Sequence, residues 1–180
     1  MLDMRAYAAT SEELRRLLND IAVRHPDCDQ ITFLCIGSDC STGDAYGPLV
    51  GSELAARGFP HIIGTLDTPC DARSVAAAAA AAREREAAGA ITIAIDACLG
   101  KPEAVGSMLA ASGPLEPGEA LNRGLPPLGH YHIKGIVNRF GPKAYWMLQT
   151  TSLRLVMKMA AETASAIGQA WPASAGSDRE

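Results

Sequence analysis

Two aspartates stand where α/β proteins do acid–base chemistry: Asp44, in a glycine-rich loop after one apolar run, and Asp96, at the tip of another. Ile31 to Ile36 (ITFLCI) reads as a short buried strand closed by Gly37, and the residues that follow are dense in Gly, Ser, Thr and Asp. Ala90 to Ile95 (AITIAI) reads as a central parallel strand, apolar on both faces, that ends at Asp96. If the two strands are neighbours, the loops beyond their carboxyl ends converge on one crevice. Two acids held a few ångströms apart cannot both ionise easily. They share a proton, so one activates water while the other donates to a substrate carbonyl or leaving group.

Other chemistries compete for the same residues. Asp39, Asp44 and Asp96 together could hold a divalent metal. Asp39 and Asp44 also suit loop and helix N-cap positions, and spacing alone favours that plainer role for either one. Asp96 has less to cap, although it could serve the next turn. Cys40 or Cys98 with His130 or His132 would give a thiol nucleophile and its base, but a cysteine in apolar surroundings is more often a small core residue. His130 and His132 share one face of a strand, as a metal-ligand pair would, and as solvent-facing histidines commonly do. Gly37, Gly43 and Gly47 do not form GxGxxG, Pro48 falls where that motif's helix begins, and no lysine stands near Ser41 and Thr42 as in a phosphate loop.

Bulk properties narrow the partners. The chain has 180 residues, 48% apolar and 20% charged, with a net charge of −4. That suits one soluble domain, expected over residues 1–172, with a polar tail over 173–180. No run of Lys and Arg exists to displace counterions, so nucleic acid is not an expected partner. No apolar run approaches the roughly 18 residues of a membrane helix, and no secretory leader is visible. Five cysteines without a CxxC pair read as reduced thiols, which points to the cytoplasm.

The elements that position the acids follow from periodicity. Thr10 to Glu13 fits a capping box ahead of a helix carrying Leu14, Leu17, Leu18 and Ile21, which His25-Pro26 closes. A second helix runs through Leu49, Val50 and Leu54 to Gly58. His61 to Leu66 is a strand, and Ser74 caps an alanine-rich helix reaching Ala88, where alanine permits close approach to a sheet. Val105 to Ala111 reads as an edge strand, residues 112–129 as a long loop of proline and glycine, and His130 to Val137 as a half-exposed strand. The chain from about Pro142 to Ala170 reads as helical. Strands alternating with helices predict a three-layer α/β/α sandwich with a mostly parallel sheet.

Several ordered blocks carry a resemblance: CIGSDCSTGDAYGPLVG, GTLDTPCDA, IDACLG, GPLEPG, LPPLGHYHIKGIVN and LQTTSLRLVMKMA. They resemble, from about Ile31 to Ala161, the YyaC-type sporulation protease family. That family is similar to the germination proteases, which degrade small acid-soluble spore proteins, and to hydrogenase maturation endopeptidases. The resemblance implies a phosphorylase/hydrolase-like three-layer fold and an endopeptidase of spore-forming cells, active in the forespore or spore core. By motif match, Asp44 in Asp44-Ala-Tyr-Gly-Pro48 and Asp96 in Ile95-Asp96-Ala97 would be the catalytic acids. Tyr46 replaces the usual leucine. Asp39, Ser41, Thr42 and Asp67 are assigned to substrate binding, and the loop 112–129 to shaping the cleft. No cofactor is implied beyond the alternative metal, the partner is a protein substrate, and a homo-oligomer is compatible. In the hydrogenase-maturation relatives an acid pair and a histidine surround nickel, but His130 and His132 inherit no role from that match. A non-catalytic sporulation scaffold remains the rival from a different class.

Overall fold

The computed structural model describes residues 11–116 and 127–172. The expected cap residue Thr10, the centre of the long proline-glycine loop and the 173–180 tail lie outside them. In chain order the elements are α1 (Ser11–Arg24), β1 (Ile31–Cys35), α2 (Tyr46–Ala56), β2 (Ile62–Ile63), α3 (Val75–Ala87), β3 (Ile91–Gly100), β4 (Met108–Ser112), β5 (Tyr131–Arg139), α4 (Ala144–Gln149) and α5 (Leu153–Ala170). Among the described residues no helix is long and apolar enough to cross a membrane.

The five strands form one sheet in the order β2-β1-β3-β5-β4, parallel except for β4, which pairs antiparallel with β5 at the edge. Side chains alternate between the two faces. Ile31, Phe33 and Cys35 of β1 and Ile91, Ile93 and Ile95 of β3 join the core under α1, α2 and α5. Leu34, Ile36 and Ala94 face the other way, against Val75, Ala78 and Ala79 of α3 and the Leu115–Leu128 bridge. This is the expected three-layer α/β/α arrangement. The alanine run lets α3 lie close to the sheet: Ala78, Ala79 and Ala82 are its buried residues besides Val75.

The connections place a crevice. From β1 the chain crosses through α2 to β2 on one side, then returns through α3, on the opposite face, to β3 on the other side of β1. Strand order therefore reverses between β1 and β3, and the carboxyl ends of these two strands flank the switch point where open sheets bind ligands.

Several expected boundaries shift. The second strand shrinks to Ile62–Ile63, since Gly64 adopts φ +96° and its Cβ position is already filled by the Cys35 carbonyl oxygen. The edge strand starts at Met108, after a turn at Gly106. The long C-terminal helix is two helices. Thr150 and Thr151 turn their hydroxyls back onto the Trp146 and Met147 carbonyls, and Ser152 caps α5 by accepting from the Leu155 amide. At the start of α3, Ser74 makes no cap bond to the helix. Its hydroxyl donates to the Pro69 carbonyl, and the Asp71 carboxylate takes the Arg73 and Ser74 amides instead.

Candidate acid crevice

β3 does not stop before Asp96. It continues to Gly100 because β5 is long enough to pair with it there, whereas β1 ends opposite Ile95. From Asp96 onward β3 has a strand neighbour on one side only. Asp96 is thus mid-strand in sequence and just past the end of β1, at the β1–β3 switch point, in space.

The loop carrying Asp44 is held by glycines at points of close approach. Gly37, at φ +148°, would drive a Cβ into the Asp44 carbonyl oxygen, and the Ser38 amide donates to that same oxygen at 3.2 Å. Gly47 lies so close to the Ile36 carbonyl that a Cβ would fall 2.0 Å from its oxygen. The Gly43 amide donates to the Leu148 carbonyl of α4 at 2.9 Å. Together these contacts fold the loop back over the end of β1. The following helix begins at Tyr46 with Ala45 as its cap, and Pro48 is tolerated because first-turn amides have no helical partner.

The capping assignment for Asp44 and Asp39 is therefore overturned. Among the described residues the Asp44 carboxyl accepts no backbone amide. Its half-buried position pushes its pKa up, opposed by the nearby Ser41 hydroxyl, which favours the charged form. That hydroxyl is buried and meets no partner in full hydrogen-bond geometry, so its hold on Asp44 is weak. Asp96 is raised further, to about 7, chiefly by desolvation; the Ala97 amide opposes the shift, the Asp44 charge adds to it and the Lys134 charge opposes it least. Asp96 keeps a partial outlet to solvent although protein surrounds it in depth, and its Oδ1 accepts the Ala97 amide at 2.8 Å. The Asp44 charge thus adds to the shift of Asp96, whereas Asp96 is not among the causes that shift Asp44.

Sequence reasoning missed Lys134. It is the register partner of Asp96 across β3 and β5, so both side chains leave the same face of the sheet. Its position in HYHIK was visible, but pairing is set by how β5 docks on β3. Cys98 projects from that face too, and burial raises its pKa to about 11 despite Lys134. Cys70, bridged through its backbone to Ile36, is pushed up to about 12 by burial and by Asp96.

The remaining assigned residues scatter. Asp39 is exposed, its Oδ1 within 3.5 Å of the Cys40 thiol, and its charge registers at Arg73 at the start of α3. Thr42 is half-buried in the loop next to Gly43, and Asp67 is exposed in the turn after β2, without a bond to either acid. His130 lies at the opposite end of β3, its Nδ1 accepting the Thr92 amide and facing Glu86 at 3.7 Å. His132 Nδ1 is 3.0 Å from the Gly113 carbonyl. Neither histidine bonds Cys40 or Cys98, so no thiol–imidazole pair is assembled. Among the described residues no three His, Cys, Asp or Glu side chains are gathered as a metal ion requires. Asp39, Asp44 and Asp96 do not form such a group among those residues.

Comparison with known proteins adds the following. Residues 2–166 match the family model described as "Protein of unknown function (DUF1256)". Over 155 residues the chain is 39% identical to a Bacillus subtilis protein called "Uncharacterized protein YyaC", spanning 85% of this chain and 75% of that one. Among solved structures, the [NiFe] hydrogenase maturation protease HycI from Thermococcus kodakarensis is similar with a TM-score of 0.45 and 19% identity, over 79% of this chain and 92% of that one.

Proposed function

The chain belongs to the DUF1256 family, and we propose that it is a peptidase that uses Asp44 and Asp96 as a proton-sharing pair to hydrolyse peptide bonds. What supports this reading is placement: the loop carrying Asp44 folds back over the end of β1, beside the point on β3 where Asp96 stands, and the Asp44 charge adds to the burial that raises Asp96 to about 7. Near neutral pH such a pair holds one proton, and Asp96, the more strongly raised, keeps it. Asp44 as carboxylate takes a proton from water while the oxygen bonds to the scissile carbonyl carbon. Asp96 gives its proton to the carbonyl oxygen. The tetrahedral intermediate then collapses: the C–N bond breaks as the proton on Asp44 passes to the departing amine, and the hydroxyl that took its proton from Asp96 returns it, leaving a free carboxyl, a free amine and both acids in their starting states. The cytoplasm is the expected compartment, and the resemblance to sporulation proteases makes small acid-soluble spore proteins the substrates to try first.

The test is incubation of the purified chain with small acid-soluble spore proteins, followed by mass spectrometry of the fragments. Cleavage by the wild type that disappears in Asp44→Asn and in Asp96→Asn, with circular dichroism unchanged, is the expected result. Retained hydrolysis in either variant refutes the pair.

A further inference from the structure

Large apolar side chains are unevenly placed on the surface. Of the seven that stand exposed among the described residues, five fall between Phe140 and Met157. Phe140 is 67% exposed, Tyr145 64% and Trp146 58%, and the rings of Tyr145 and Trp146 meet edge to face at 6.1 Å. Leu153 and Met157, one turn apart, stand exposed on α5. A concentration of this kind marks an interaction site more often than scattered single residues do.

Charge is concentrated in the same segment. Residues 127–161 contain Lys134, Arg139, Lys143, Arg154 and Lys158 and no Asp or Glu, in a chain whose net charge is −4. Arg139, Lys143, Arg154 and Lys158 are exposed, and only Lys158 has an ion-pair partner among the described residues, Glu162 at 3.6 Å. Aromatic rings bordered by unpaired cations suit a ligand that offers carboxylates and apolar groups together.

The inner side of α4 is tied to the crevice. Its Leu148 carbonyl accepts the amide of Gly43, the residue before Asp44, and its Met147 carbonyl accepts Asn138 Nδ2 of β5 at 2.8 Å. A polypeptide lying on the outer side of α4 is therefore about one helix diameter, roughly 10 Å, from the Asp44 loop, a gap that about three extended residues span.

We propose that Phe140, Tyr145 and Trp146, with Arg139 and Lys143, form a docking surface for an acidic polypeptide segment bearing apolar side chains; that this segment belongs to the substrate rests on the peptidase reading above. A polypeptide can place its carboxylates on this face and a neutral peptide bond between the two acids. A nucleic-acid strand carries a phosphate at every residue and would bring charge against Asp44 and Asp96, so it fits less well.

The experiment is fluorescence anisotropy with a fluorescein-labelled peptide of alternating glutamate and leucine, its lysine-leucine counterpart and a labelled oligothymidine. The glutamate peptide is expected to bind wild type and Asp96→Asn alike, and about tenfold or more weaker to Trp146→Ala and to Lys143→Glu. Both substituted side chains are exposed, and circular dichroism checks the fold. Equal binding of the two peptides, or variants as tight as wild type, overturns the proposal. So does tighter binding of oligothymidine that the same variants abolish, or a sedimenting dimer that Trp146→Ala disperses, which would make a second copy the occupant. Peptide bound through this face but never cut by wild type would sink the peptidase reading and leave the docking surface standing.

Discussion

Lys134 of β5 and Asp96 of β3 are direct cross-strand partners on the same face of the sheet, and the lysine's charge opposes the burial and the Asp44 charge that keep Asp96 protonated. The proton on Asp96 is thus set by burial, by the Ala97 amide that favours its loss, and by two charges from other segments, those of Asp44 and Lys134. The two charges can each be removed by a single substitution.

If Asp96 is the proton donor, activity declines as pH rises through about 7, where that proton is lost. Lys134→Met removes a charge that favours ionisation, so the alkaline limb of kcat/KM is expected to move upward by about half a pH unit or more. Lys134→Arg should restore it. A pH–rate profile unchanged by Lys134→Met would show that the lysine does not act on the acid.

Stability should follow the same proton. The folded chain holds it up to about 7, against 3.8 ordinarily, so the folded state binds more protons than the unfolded state between those values. The stability contributed by that proton is fully present below about 3.8 and is lost as pH rises through about 7. Asp96→Asn avoids the loss. Unfolding free energies from urea titration should nearly coincide with wild type in acid and favour the variant by up to about 4 kcal/mol on the alkaline side.

Tyr46 and Gly135 are fitted to each other. A Cβ at Gly135 would come within 2.7 Å of the Tyr46 ring, whose hydroxyl is 2.8 Å from the Thr163 hydroxyl in the core. Gly135→Ala is expected to cost about 1–3 kcal/mol by overpacking, and Tyr46→Phe about 1 kcal/mol by leaving Thr163 alone. Tyr46→Leu should relieve part of the Gly135→Ala penalty, a coupling that a double-mutant cycle of denaturation free energies reads directly.

Cys40 is exposed and bonds only within its own loop, to Asp39 and to Ser38. Alkylation with iodoacetamide, confined to this thiol by short exposure and verified by peptide mapping, is expected to change kcat/KM by less than about twofold. A nucleophilic thiol would instead lose nearly all activity on capping.

The sequence by itself determined what local pattern can encode. Apolar runs made Ile31 to Cys35 and Ile91 to Ile95 buried strands, Leu14, Leu18 and Ile21 made one face of α1, and the alternation of strand and helix made the three-layer sandwich. It also marked Asp44 and Asp96 as the acids to watch, partly through the ordered blocks they lie in. Tertiary structure decided how their surroundings are assembled. That β3 runs past Asp96, that Lys134 stands beside it, and that Asp44 caps nothing all depend on strand order and register, which join residues far apart along the chain. The same holds for Asp39, which looked like a third member of the acid group and instead stands exposed beside the Cys40 thiol. Neighbours within a helix or strand are fixed by a repeat of 3.6 or 2 residues, whereas neighbours across strands are fixed by packing of the whole sheet, and no local pattern carries that information.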